Sequence, residues 1–268
     1  MKSTNTILVF AVIVIATVSF NVNAAIVDLA QNNTSEGTIN GAIFRNGSFP
    51  IDGAGTIDPR ITNQEAEGFL HFPSTGNTRD ISGHNTSAAN PLFTDVGDAG
   101  TDDITVGMLT GKVIGTEWYF EIIVDTNENN SDSGQITYID DMKIYTSPHP
   151  GINTTNLNDF TTPGIGDGIL RYDFQANGGD NQVIFNYELA SGGYSSVYDV
   201  VAHIPVINFT GADVSDYVYV YIELGNASDG ADNLMYFTTG DYPPIPVPEP
   251  AAFAIFASGA VFITWKKR

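Results

Sequence analysis

Apolar and polar residues alternate most cleanly near the end of the chain's middle. Val218, Val220, Ile222 and Leu224 interleave with Tyr217, Tyr219, Tyr221 and Glu223. A period of two places the aliphatic set on one face of a β-strand and the tyrosine row on the other. The aliphatic face is expected to be buried. The tyrosine row is expected to meet either a second packing layer or a ligand. Similar apolar runs at 68–72, 104–109, 118–124, 136–145, 169–174, 182–189 and 198–204 predict further strands. Clusters of Gly, Asn, Asp and Ser separate them, the residues that tolerate positive φ and cap turns. Residues 25–244 hold no long window of helical periodicity and no fixed-period repeat. The pattern predicts an all-β fold, an antiparallel β-sandwich of jelly-roll-like or Ig-like form. A split into two domains near residues 147–163, where Pro148, Pro150 and Pro163 fall, is the alternative.

The two ends break this pattern. Lys2 precedes an apolar run over residues 7–20 and then Val22, Asn23 and Ala24. A cation, a short hydrophobic stretch and a small-residue exit form a secretory signal peptide. Cleavage is expected after Ala24, with Ala25 as the second choice. At the other end, residues 240–250 carry five prolines and favour an extended spacer. Residues 251–265 then contain no charge, and Lys266, Lys267 and Arg268 close the chain. As a helix, the apolar run is roughly 23 Å long at about 1.5 Å per residue. That is short of the ~30 Å hydrocarbon core, so it is a marginal transmembrane helix. The terminal cations favour the cytoplasmic side, leaving Pro250 and everything before it outside. The domain reading is therefore 1–24 signal peptide, 25–239 β-sandwich, 240–250 proline-rich linker, and 251–268 transmembrane helix with a basic tail.

Composition sharpens the picture of the exported part. Four of the ten cations lie in the two ends, so six remain against nearly all of the 31 acids. Such a charge repels nucleic acid and anionic lipid and favours solubility. There is no cysteine, which excludes disulfide support, thiol catalysis and thiolate zinc sites.

The triplet Pro248, Glu249 and Pro250 after Val247, the short apolar run containing Gly259, and the basic end Lys266, Lys267 and Arg268 together resemble the PEP-CTERM sorting signal of Gram-negative bacteria. The resemblance covers only these closing residues, but its elements occur in order and coincide with an N-terminal signal. It implies transient anchoring in the inner membrane, cleavage near the triplet by an exosortase, and transfer to the cell surface or extracellular matrix. It also implies association with exopolysaccharide and biofilm. Residues 120–127, 139–145, 199–205, 209–213 and 216–221 are similar to a group of PEP-CTERM ectodomains without assigned activity. That similarity implies an all-β body and carries over no catalytic residue. Asp232 to Phe237 departs from the acidic-aromatic ending of that group.

Candidate chemistry in the body is sparse. Asp125, Asn127, Asn129 and Asp132 place oxygen donors at alternate positions between two predicted strands, like the first half of a calcium loop. Asn130 stands at the glycine position of an EF-hand and Ile136 at that of the bidentate glutamate. A polar hairpin loop is therefore the first expectation and weak calcium binding the second. Loops 95–103 and 226–232 receive the same reading. His71, His84, His149 and His203 show no paired metal spacing, and His71 and His203 are expected to be ordinary sheet residues. No Gly-x-Ser-x-Gly elbow and no phosphate-binding glycine loop is present. Two functions of different class fit: a non-enzymatic surface or matrix protein without a cofactor, and a carbohydrate-binding or glycoside-cleaving module using Trp118, Tyr119 and the tyrosine row. Aromatics buried in packing would favour the first, and aromatics lining a groove the second.

Overall fold

The computed structural model describes residues 24–50, 56–73, 79–88, 100–127, 136–176, 178–187, 198–227 and 232–247. In chain order the first strands are β1 (Ile26–Asp28), β2 (Glu36–Ile39) and β3 (Ala42–Asn46), followed by the one-turn helix α1 (Pro59–Thr62). Next come β4 (Ala66–Phe72), β5 (Arg79–His84), β6 (Gly100–Thr101), β7 (Ile104–Thr105), β8 (Gly111–Ile114) and β9 (Glu117–Asp125). The long β10 (Ile136–Ser147) precedes β11 (Ile169–Asp173), β12 (Gln182–Asn186), β13 (Val200–Pro205), β14 (Tyr217–Ala227) and β15 (Asp232–Phe237).

These strands form two sheets. One runs β1-β12-β10-β14-β5, with β11 beside β10 and β7 beside β14; the other runs β2-β3-β13-β9-β15-β4-β6, with β8 beside β9. The mostly-β expectation holds. One pairing departs from the antiparallel reading: β1 lies parallel to β12. Strands on either side of residues 147–163 pair in both sheets, β10 with β14 and β9 with β13, so no boundary between sheets falls there.

The core lies between the sheets. Phe120, Ile122 and Val124 of β9 and Val200, Ala202 and Ile204 of β13 face Val218, Val220, Ile222 and Leu224 of β14 and Ile139, Met142 and Ile144 of β10 within one buried cluster. Strict alternation would put Ile139 and Met142 on opposite faces. The register of β10 against β14 shifts between Ile139 and Asp141, and this extra residue returns Met142 to the inner face.

Central strands are buried on both faces because the outer faces are also covered. Over the seven-stranded sheet, Ile152 and Phe160 pack on Tyr145 and Tyr219. The Tyr219 hydroxyl donates to the His149 carbonyl (2.7 Å), and its ring lies 5.1 Å from that of Phe160. The tyrosine row thus meets a second packing layer. Over the eight-stranded sheet, Ile61 of α1 packs on Ile123, Val201, Tyr198 and Phe237.

Residues 104–109 form only a two-residue strand before a 3-10 turn at Val106–Met108. The proline-rich stretch also differs from a free spacer along its first part. Gly111 N–H donates to the Asp241 carbonyl (2.8 Å) and Gly211 N–H to the Pro246 carbonyl (2.9 Å). Pro243 is buried and Ile245 packs on the main core. The body therefore extends past residue 239 to Pro246.

Candidate functional site

Most sequence-predicted sorting residues lie outside the described residues: Pro248, Glu249, Pro250, Lys266, Lys267 and Arg268. Val247, which is described, is 84% exposed. Among the described residues no helix is long and apolar enough to cross a membrane. Ala24 is exposed, and the next residue is held: Ala25 N–H donates to Asn181 Oδ1 (2.8 Å) just ahead of β1.

Of the calcium candidates, Asn129 and Asp132 lie outside the described residues. Asp125 ends β9, where burial pushes its carboxyl up to about 6. Asn127 N–H donates to Asp232 Oδ1 (3.1 Å), and Thr126 donates through its N–H (2.7 Å) and hydroxyl (2.6 Å) to Asp199 Oδ2. Burial, then the charges of Asp125 and Asp232, raises the Asp199 carboxyl well above the usual range. Asp125 thus sits with two aspartates far along the chain that the linear pattern did not join to it. Among the described residues no group of three His, Cys, Asp or Glu is arranged to hold a metal ion. In loop 95–103, Asp103 binds Ser87 and the Gly151 N–H, a tie between loops.

The densest polar chemistry lies elsewhere, on the covered outer face of the eight-stranded sheet. Register puts His203 of β13 directly opposite Glu121 of β9, and Lys112 of β8 opposite Tyr119. Asp58 caps α1, accepting from Arg60 N–H (3.0 Å), while Pro59 in the first turn supplies a preset φ. This short cap aims Arg60 into the sheet. The Arg60 guanidinium grips Glu121 through Nη1–Oε2 (2.8 Å) and Nη2–Oε1 (3.0 Å), and Asp58 through Nε–Oδ1 (3.1 Å) and Nη2–Oδ2 (2.8 Å). It also lies over the Phe237 ring at 4.1 Å. A planar five-donor fork satisfies two carboxylates at once, which a lysine ammonium does not.

Burial raises the Glu121 carboxyl even against the opposing Arg60 contacts. For Asp58, burial is the largest single influence and acts upward, but Arg60 and Lys112 together hold the group below its ordinary value. Arg60 is held firmly charged by both acids against the opposing effect of burial. Burial, followed by the charges of Arg45, Lys112 and Arg60, drives His203 well below the usual range, so its ring is neutral. Among the described residues the buried His203 Nδ1 has no hydrogen-bond partner and lies 3.7 Å from Glu121 Oε1. Beside it is a cavity of about 20 Å³, lined in part by Arg45, Lys112, Glu121 and His203.

Sequence reasoning missed this cluster and treated His203 as an ordinary sheet residue. The available signal was Glu121 and His203 inside otherwise continuous apolar runs. Such runs mark strands buried on both faces, where a charged or titratable side chain needs a partner. The other histidines are dispersed. His71 is exposed and bonds Asn233 (2.7 Å), His149 bonds Asp167 (3.0 Å), and His84 packs edge-on to Phe160 at 4.9 Å. Comparison with protein-family models, curated proteins and solved structures finds no match to this chain.

Proposed function

We propose that this chain is an exported, surface-sorted, non-enzymatic protein that is processed by an exosortase and joins extracellular polysaccharide. The signal peptide ends at Ala24. Residues 251–265 anchor the chain transiently as a short membrane helix, with Lys266, Lys267 and Arg268 on the cytoplasmic side. Cleavage falls near Pro248, Glu249 and Pro250. The observation that carries this reading is the ordered coincidence of triplet, apolar run and basic end with an N-terminal export signal. Two structural features support it. Val247 is open to an incoming enzyme, and Tyr219 and Tyr221 are consumed in packing instead of forming a sugar-stacking stripe. Glu249→Gln in a host with the matching exosortase should leave the C-terminal segment uncleaved, read as a higher mature mass and reduced surface yield. An unchanged mature mass and yield would overturn the sorting reading.

One observation favours the carbohydrate-binding reading. Trp118, with Pro205, Pro244 and Pro246, lines a cavity of about 360 Å³. A glycan array probed with the exported protein separates the two, since a binder retains specific glycans and an inert matrix component retains none.

A further inference from the structure

The body of this acidic chain holds six cations, and three of them, Arg45, Arg60 and Lys112, converge on the outer face of the eight-stranded sheet around His203. Their hydrogen-bonding capacity is unevenly used. All four carboxylate oxygens of Asp58 and Glu121 already accept from Arg60. The donors are not exhausted. Arg45 bonds Glu36 through Nε alone among the described residues (2.8 Å) and stacks on Phe49. Among the described residues the Lys112 ammonium has only a 3.5 Å approach to Asp58. His203, 3% exposed, leaves Nδ1 without a partner.

We infer that the cavity beside His203 seats one small monoanionic group, a halide-sized ion or a single carboxylate, held by Lys112 and Arg45 with the His203 ring as its floor. The size fits, because a space of about 20 Å³ exceeds the roughly 10–15 Å³ that one water needs yet falls far short of a whole sugar, which suits a single small ion or one carboxylate head. The sign fits as well. Lys112 and Arg45 are cations with N–H groups to spare, and charge-assisted hydrogen bonds to anions are the stronger kind, while the Asp58 and Glu121 carboxylates that share the lining are already paired with Arg60. The neutral ring donates one N–H without adding a charge that burial disfavours. A cation would instead meet the like charges of Arg45 and Lys112 in the same lining.

The test uses the full chain, titrated separately with sodium chloride, sodium formate and sodium glucuronate, with ionic strength held constant by sodium sulfate. The expected result is a saturable rise in melting temperature, with the His203 ring nitrogen resonances moving along the same isotherm. Saturation by chloride or formate identifies a free-ion site, and saturation by glucuronate alone identifies the carboxylate of an acidic sugar. Lys112→Gln should weaken binding about tenfold or more, the effect of losing one charge-assisted hydrogen bond. Arg45→Gln should weaken it similarly and serves if the first variant does not fold. Lys143→Gln, on the other sheet, should leave the affinity unchanged. If no anion moves the His203 resonances saturably, or if both site variants bind like the parent, the cavity holds only water and the inference fails.

Discussion

Replacing Arg60 by methionine tests the energetic logic of the covered face most directly. The change keeps an apolar stem of similar length but deletes the guanidinium. It strands Glu121, whose side chain is 2% exposed, and Asp58, at 11%. Removing one partner of a buried ion pair costs about 3–5 kcal/mol, because the remaining charge is neither paired nor hydrated. Lys112 retains a 3.5 Å approach to Asp58, so Glu121 carries most of the penalty. For a domain of this size, about 2–4 °C follows each kcal/mol. Arg60→Met should therefore lower the melting temperature by roughly 10 °C and shift the urea midpoint in parallel. The defect has a defined pH dependence. Burial already raises Glu121, and without Arg60 its folded-state value rises further. A carboxyl with a higher value folded than unfolded destabilises once ionised, so the loss should shrink as pH falls from 7 toward 5. The double variant Arg60→Met, Glu121→Gln removes the stranded charge and should regain at least half of the loss, a non-additivity read from a double-mutant cycle. A single-variant loss below about 1 kcal/mol, or strict additivity in the cycle, would refute the reasoning.

Two further outcomes follow from the acid cluster and the C-terminal stretch. Asp125, pushed to about 6, and Asp199, higher than usual, bind more protons folded than unfolded. Stability should therefore fall as pH rises from about 4 through 6, and Asp125→Asn should flatten that slope by at most about 3 kcal/mol. Urea midpoints measured from about pH 3.5 to 7 check this, and an unflattened slope would count against the buried-acid account. Truncation after Pro250 should preserve the fold, whereas truncation after Thr239 removes buried Pro243 and half-buried Ile245 and should cost roughly 2–4 kcal/mol. Equal melting temperatures for the two truncations would show that the docked stretch contributes nothing.

The linear pattern revealed strands wherever one face was consistently aliphatic. β14 was legible because Val218, Val220, Ile222 and Leu224 all point into the core. β5 was not, since Arg79, Asp80, Ser82 and His84 leave Ile81 as its one large apolar residue, and pairing with β14 imposes its conformation. The β2–β3 hairpin carries a local signal of a different kind, in its turn and not in its strands. Asn40 and Gly41 both have positive φ (48° and 86°), the two-residue turn that matches strand twist. The segments covering the outer faces have no periodicity, so they read as loops. That omission left the fate of the tyrosine row undecided. The Arg60 cluster draws on positions from 45 to 203, and only sheet register brings Glu121 and His203 together. Spacing rules have no access to such a site.

The hold on Pro246 sets a length. From that residue to Ala251 the chain can reach no more than about 18 Å even when fully extended. On the proposed topology the globule would stand directly on the bilayer, like a lamp on its base, with its acidic bulk close to the headgroups. Access for the cleaving enzyme would then be confined to the short stretch beyond the last backbone tie at Pro246, beginning at the exposed Val247. The released body would keep the Asp241-to-Pro246 strap, and with it the wall of the Trp118 cavity.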